Sequence, residues 1–250
     1  MPAARGSPGV KTWSRLLGEN AGMPGTEQFT TLHLDLDHLS TVDRVADELR
    51  RAVFDGELES ATPLREVALA DSLGVSRSTV REALAVLVGE GLATREPNRG
   101  VSVTTPDPDS VRDVCRARLV LEIAGVRCWP EAPDDLRDGV RESLASFAEA
   151  ANSGASYQVL NERHLAFHLS LVALARSPRL EAMATSLYAE LRLALAQVDR
   201  ARQNAPDQAG SHTLLLELLE SGDVPATVAE LERHLAGAEV AILERLHLED

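Results

Sequence analysis

The chain has 250 residues, enough for two domains of ordinary size, and 44% of them are apolar, ample for packed cores. Its formal net charge is -14 and its aromatic share is 3%. The first excludes a protein that coats nucleic acid by general phosphate neutralisation, and the second favours helices filled by small and straight-chain side chains. No run of about 18 apolar residues is present to span a membrane, and the N-terminus has no apolar signal-peptide core, so a cytoplasmic location is expected.

Residues 1–39 mix Pro, Gly, Ser and Thr with little periodicity and read as a flexible leader, in which Met23 offers an alternative start and His33 and His38 are solvated. Ser40 and Thr41 suit the cap of a helix running to about Asp55, with Val42, Val45, Ala46, Leu49 and Val53 as its apolar face and Gly56 as its stop. Between Leu64 and Gly100, two short helical periods are broken at Gly74, the pattern of a helix-turn-helix. Ser76 stands at the N-cap of the second helix. Arg77, Ser78, Thr79 and Arg81 follow, long or hydroxylated side chains able to reach base edges and phosphates. Residues 92–95 and 101–104 read as strands of a hairpin wing, turned at Asn98 and Gly100 and carrying Arg95 and Arg99.

The prolines and capping residues of TTPDPDS place a domain boundary at residues 105–109. The head, residues 40–104, holds eight Arg against eleven Asp or Glu. DNA binding would therefore rest on local clustering of Arg77, Arg81, Arg95 and Arg99, and on dimerisation for useful affinity.

Residues 110–250 read as six helices, at about 110–129, 132–152, 156–176, 178–203, 208–220 and 225–247, punctuated by Pro130, Pro133, Gly154, Pro178, Pro206 and Gly222. The fold class expected is mainly α: an N-terminal winged helix-turn-helix followed by an all-α antiparallel bundle. Cys115 and Cys128 fall in the first of these helices, too far apart along it to pair, and read as buried thiols.

Bundles of this kind build ligand and metal sites from inward side chains on facing helices. His164 and His168, four apart, share one helix face with about 6 Å of rise between them, a spacing that chelates one ion. His212 lies beside Leu215, Leu216 and Leu219, and His234 beside Leu231, Leu235 and Ala238. One such histidine is commonly a core polar group. Four, with one chelating pair, point to a metal.

Residues 42–104, with VSRSTVREALAVLVGEGL and the NRG of the wing as diagnostic pieces, resemble the winged helix-turn-helix domain of GntR-type bacterial transcription regulators. The resemblance implies DNA contacts from Ser76, Arg77, Ser78, Thr79, Arg81, Arg99 and Gly100. Where the family usually has an Arg two residues before Leu69, this chain has Val67, and Arg65 is the nearby substitute. The segments RLVLEIAGV, HLAFHLSLVALARSPRL and SHTLLLELLESGDVPATVAELERHL resemble the FCD effector domain of FadR-type members. That resemblance implies a divalent metal on His168, His212 and His234, with His164 standing where the family has an Asp. It also implies a pocket-facing Arg118, paired with Glu122, for an anionic effector. The bland reading of Arg118 and Glu122 is a surface ion pair.

These readings lead to a ligand-responsive DNA-binding regulator, a repressor, that binds a palindromic operator as a homodimer and is released by a small organic acid at the metal. Exchange of Asp for His favours zinc or nickel over manganese or magnesium. Two alternatives belong to other classes: a regulator that senses the metal itself, and a metal-dependent hydrolase fused to a DNA-binding head, for which no HExxH arrangement supplies a general base.

Overall fold

The computed structural model describes residues 40–202 and 205–247. The leader expected at 1–39, with Met23, His33 and His38, lies outside the described residues.

The winged head is built from α1 (Thr41–Phe54), α2 (Glu66–Leu73), α3 (Arg77–Gly89), β1 (Ala93–Glu96) and β2 (Gly100–Val103). Ser40 starts α1 through a reciprocal capping box with Asp43. Gly74, at φ 66, ends α2 in the left-handed conformation that lets the chain turn sharply into α3. Ser76 then caps α3 by accepting from the Thr79 amide at 3.1 Å. The hairpin pairs Ala93 with Val103 through Glu96 with Gly100, and its turn is made by Asn98 and Gly100, both at positive φ. Pro63 adds a bridge to Ser102, so the segment before α2 lies along the wing. The head core holds Phe54, Val80, Leu84, Leu87 and Leu92, and each such side chain contributes about 1.5–3 kcal/mol on full burial.

The helical half comprises α4 (Pro108–Val126), a short 3-10 turn at Trp129–Glu131, α5 (Asp134–Ser153), α6 (Tyr157–Ala173), α7 (Pro178–Arg202), α8 (Ala205–Ser221) and α9 (Val224–His247). The first of these starts earlier than sequence suggests. Asp107 accepts from the Ser110 amide at 2.7 Å and Pro108 takes the first helical position, where its missing N–H is no loss, so the extended connection ends at Asp107. Cys128 also departs from expectation. It lies in the turn beyond α4, partly exposed, with its thiol donating to the Ala124 carbonyl, while Cys115 is buried.

Two cores fill this half, one between α5, α6, α8 and α9 and one between α4, α6, α7 and the end of α9. Leu193 and Ala196 of α7 are buried in neither; they complete the core of the winged head. Helices α4 and α6 cross so closely that a Cβ on Gly125 would sit 1.8 Å from the Leu171 carbonyl oxygen. Gly125→Ala should therefore destabilise the protein by about 1–3 kcal/mol or more. Gly139→Ala on α5, where a Cβ meets nothing within 4 Å, should stabilise it by about 0.5–1 kcal/mol. Urea unfolding of the two variants checks the crossing, which equal midpoints would contradict.

Candidate metal centre and nucleic-acid interface

The sequence spreads the four candidate histidines over three helices, and the fold gathers them. His164 and His168 come from α6, His212 from α8 and His234 from α9, and one donor atom from each lies within 4.8 Å of all the others. Two aromatic rings pack against them. Phe147 stacks on His164 with ring centres 5.2 Å apart, and Phe167 meets His212 edge-on.

Hydrogen bonds set the ring orientations. His212 Nδ1 donates to the Gln208 carbonyl at 2.6 Å, and His168 Nδ1 lies 2.8 Å from Glu122 Oε2. Each bond turns the opposite nitrogen inward as an acceptor, so the Nε2 atoms of His168 and His212 face each other at 3.1 Å, with His164 Nε2 at 3.2 Å from His168. Lone pairs pointed at one another are poorly satisfied by protein alone. A cation between them resolves the conflict: bonds of about 2.0–2.1 Å place tetrahedral nitrogen donors about 3.3 Å apart, close to the spacings found. The residues fit a divalent metal, and the outer bonds of His168 and His212 are the support that metal-ligating imidazoles require.

Burial keeps these rings neutral and ready to ligate. With help from the neighbouring imidazoles and Arg118, it holds His164 and His168 well below the ordinary histidine value. It brings His212 down to about 4 against the pull of the Gln208 carbonyl, and His234 down to about 3 with His212 adding to the effect.

Behind His168 stands a fully buried carboxylate that sequence places only as the partner of Arg118. Glu122 accepts from Arg118 Nε at 2.8 Å and from the Tyr188 hydroxyl at 2.9 Å, besides its bond to His168. The surface ion-pair reading of Arg118 and Glu122 is thereby corrected, since the two are 1% and 0% exposed. Arg118 retains one buried nitrogen, Nη2, with no protein partner among the described residues. Nothing in the sequence near residue 188 announces Tyr188. Glu122, four residues after Arg118, was visible as half of an ion pair and not as support for a ligand.

On the head, the residues assigned to DNA lie just before α2, before and along α3, and at the wing. Arg65, Ser76, Arg77, Ser78, Arg81, Arg99 and Gly100 are exposed and Thr79 is half-buried. The Ser76 hydroxyl lies 2.7 Å from that of Ser78 and 2.8 Å from that of Thr79. Arg65 is the N-cap of α2 without a side-chain capping bond, and Val67 beside it is 51% exposed. Two acids pair with them: Glu66 with Arg81 and Glu96 with Arg99.

A winged head carried on a helical bundle with a buried cluster of four histidines is the build of an effector-binding transcription regulator. The model of bacterial regulatory proteins of the gntR family matches residues 41–103, and that of the FCD domain matches residues 113–237. The chain belongs to the gntR family, among its FadR-type members with an FCD domain, and these are DNA-binding regulators rather than enzymes. It is 28% identical to the HTH-type transcriptional regulator YdhC of Bacillus subtilis over 50% of this chain and 57% of that protein, little more than half its length. A transcriptional repressor of a D-xylose utilization operon from Paenarthrobacter nicotinovorans is 27% identical over 80% of this chain and 88% of its own. A solved GntR transcriptional regulator from Rhodococcus sp. RHA1 superposes with a TM-score of 0.66 at 29% identity, covering 82% of this chain and 99% of that one.

Metal-free protein should be acid-sensitive. Below about pH 6.5, the ordinary histidine value, the unfolded chain takes up protons that the folded chain refuses. The stability contributed by neutral imidazoles is fully present above that pH and is lost as pH falls towards about 4 and 3, the values of His212 and His234. Urea midpoints of chelator-treated protein should drop between about pH 7.5 and about pH 5.5; an unchanged midpoint would mean that the rings are already charged in the folded state.

Proposed function

We propose that this regulator is a repressor that binds a palindromic operator as a homodimer and leaves it when a small organic acid enters the helical half. The observation that carries the proposal is the buried Arg118, one face of its guanidinium paired to Glu122 and its Nη2 without a partner. A planar fork with a spare donor matches a carboxylate. His164, His168, His212 and His234 would hold the metal, which when bound supplies a positive charge that attracts an anion. Because the donor set is four neutral imidazoles, no ligand carboxylate cancels that charge.

Tyr188 gives the route outward. Its hydroxyl bonds Glu122, and its helix, α7, continues into the head. There the Arg192 guanidinium lies over the Phe54 ring at 5.4 Å, Gln197 donates to Ser60 at 2.8 Å, and Arg200 donates to the carbonyls of Val53 and Phe54. An acid that engages Arg118 competes for the same cluster that fixes Tyr188, and a shift of α7 carries the end of α1 with it. For release, the acid must prefer the shifted state, with a coupling of about 1–3 kcal/mol being typical.

A second copy fits the shallow apolar groove of about 460 Å³ lined by Ala117, Val120, Leu121, Met183, Ser186 and Leu187, where Val120 is 68% and Met183 56% exposed. A symmetric pair joined there presents two heads to a palindrome. No helix among the described residues is long and apolar enough to cross a membrane, in keeping with a cytoplasmic, DNA-bound role. A second reading, in which the metal alone is the signal, is supported by the donor set, since four imidazoles are enough to close a tetrahedral shell and leave no position for an acid.

Purified protein should carry a near-stoichiometric late first-row metal, zinc or nickel. His168→Ala and His234→Ala should lose it, and His164→Asp should shift preference towards manganese. Elemental analysis is the check, and an empty wild-type site after metal-replete growth would return the histidines to the role of core polar groups.

Arg77→Ala and Arg81→Ala should each weaken operator binding by about 1–3 kcal/mol without loss of fold. Val120→Glu, far from the head, should weaken it as well by separating the protomers. Gel shifts with light scattering read both effects, and wild-type affinity in all three variants would defeat the proposal. Adding small organic acids to the metal-loaded complex separates the two readings, since only the first predicts release.

A further inference from the structure

Glu66 is the acid on the reading side of the head with the most arginines around it. It occupies the first position of α2, directly after Arg65, and its carboxylate holds Arg81 of α3 through two bonds: Nε to Oε1 at 3.0 Å and Nη2 to Oε2 at 2.7 Å. The carboxyl is held below its ordinary range, first by that hydrogen bond and then by the charges of Arg81, Arg77 and Arg95. Glu66 is therefore ionised at neutral pH. An exposed ion pair of this kind contributes little to folding stability, and an acid facing a polyanion lowers general affinity for it. Stability and affinity both leave the residue unexplained.

Guanidinium geometry supplies the explanation. Arginine has a side-on edge, made by Nε and Nη2, and an end-on edge, made by Nη1 and Nη2. Among the described residues Glu66 takes the first edge alone, which leaves Nη1 and the outer proton of Nη2 without a protein acceptor on an exposed side chain. That end-on pair matches the O6 and N7 acceptors of guanine in the major groove. Without the carboxylate, a long side chain that is 56% exposed is free to swing to the nearest phosphate, a contact that carries no sequence information.

We infer that Glu66 is a specificity-determining residue that positions Arg81, holding its guanidinium end-on towards a guanine in each operator half-site. The inference rests on the reading of α3 as the recognition helix and adds a residue that never touches a base. It sets two effects of opposite sign on one side chain. Neutralising Glu66 loosens base choice and at the same time strengthens binding to DNA of any sequence.

The test uses full-length wild type, Glu66→Gln and Arg81→Ala, each selected against a random-sequence duplex library and then titrated on the recovered site and on a scrambled duplex. Glu66→Gln keeps size and shape at a half-buried position, and unfolding curves confirm that it folds. Wild type should recover a half-site with a fixed guanine, and Arg81→Ala should lose that base. Glu66→Gln should lower discrimination at the same base by roughly tenfold, within the range of a bidentate contact, while binding scrambled duplex at least as tightly as wild type. If Arg81→Ala leaves every position unchanged, the recognition-helix reading itself fails. If Arg81→Ala loses the guanine but Glu66→Gln discriminates as well as wild type, the positioning role is overturned and the recognition helix stands. Loss of affinity for both duplexes by Glu66→Gln would mark a merely structural residue and would likewise overturn the inference.

Discussion

A buried carboxylate must be answered, and in this protein the answer joins three helices. Glu122 of α4 is fully buried and takes donors from Arg118 on its own helix, His168 on α6 and Tyr188 on α7. Removing one partner of a buried ion pair typically costs about 3–5 kcal/mol, so these donors are not interchangeable contacts; they fix the register of three helices at one point. That point orients an inward-facing imidazole and holds Arg118, whose Nη2 has no protein partner among the described residues. The Gly125 crossing serves the same end. Only a residue without a side chain lets α4 come near enough to α6 for the Glu122–His168 bond.

From this point the structure has one long element that leads away. Tyr188 belongs to the core of the helical half, whereas Leu193 and Ala196, about one and two turns further along α7, belong to the core of the head. A helix buried in two cores cannot shift in one without strain in the other, because packed interiors respond in discrete steps and do not deform smoothly. Arg200 strengthens the join at the end of α1, where it donates to the carbonyls of Val53 and Phe54 and lies against Gly56, whose missing Cβ makes the room. The short connection at 104–107 is thus a minor part of how the halves are held. The larger part is α7.

Sequence made legible whatever depends on local pattern. Helix caps at Ser40, Ser76 and Ser156, the left-handed stops at Gly74 and Gly154, and the hairpin register around Asn98 and Gly100 follow from side-chain chemistry within a few residues, and the elements fall within a few residues of where that chemistry puts them. The convergence of His164, His168, His212 and His234 was legible in part, through the i,i+4 pair and the apolar neighbours of the other two. What could not be read is what lies across space from a residue. Arg118 and Glu122 look like any exposed helix pair until Tyr188 and His168 close over them. Glu66 was unremarked because an acid at the start of a helix is already accounted for by the helix dipole; its partner Arg81 is fifteen positions away.

The same partition of local and distant partners reconciles an acidic chain with a task on DNA. Within the head, Arg50 is tied to Asp47 and Glu90, and Arg51 to Glu48, Asp55 and Glu57. These arginines sit on α1 and have their charge answered on the spot. Arg81 and Arg99 are also paired, but with single acids at the exposed reading side, while Arg77 and Arg95 there contribute to the field felt by Glu66. Those two arginines of α1 are answered by two or three acids each and Arg81 and Arg99 by one each, which leaves α3 and the wing as a small face with arginines to offer. Such a face binds random DNA weakly, since few phosphates are neutralised at once. If two heads pair as proposed, base contacts made twice supply the occupancy that phosphate contacts do not.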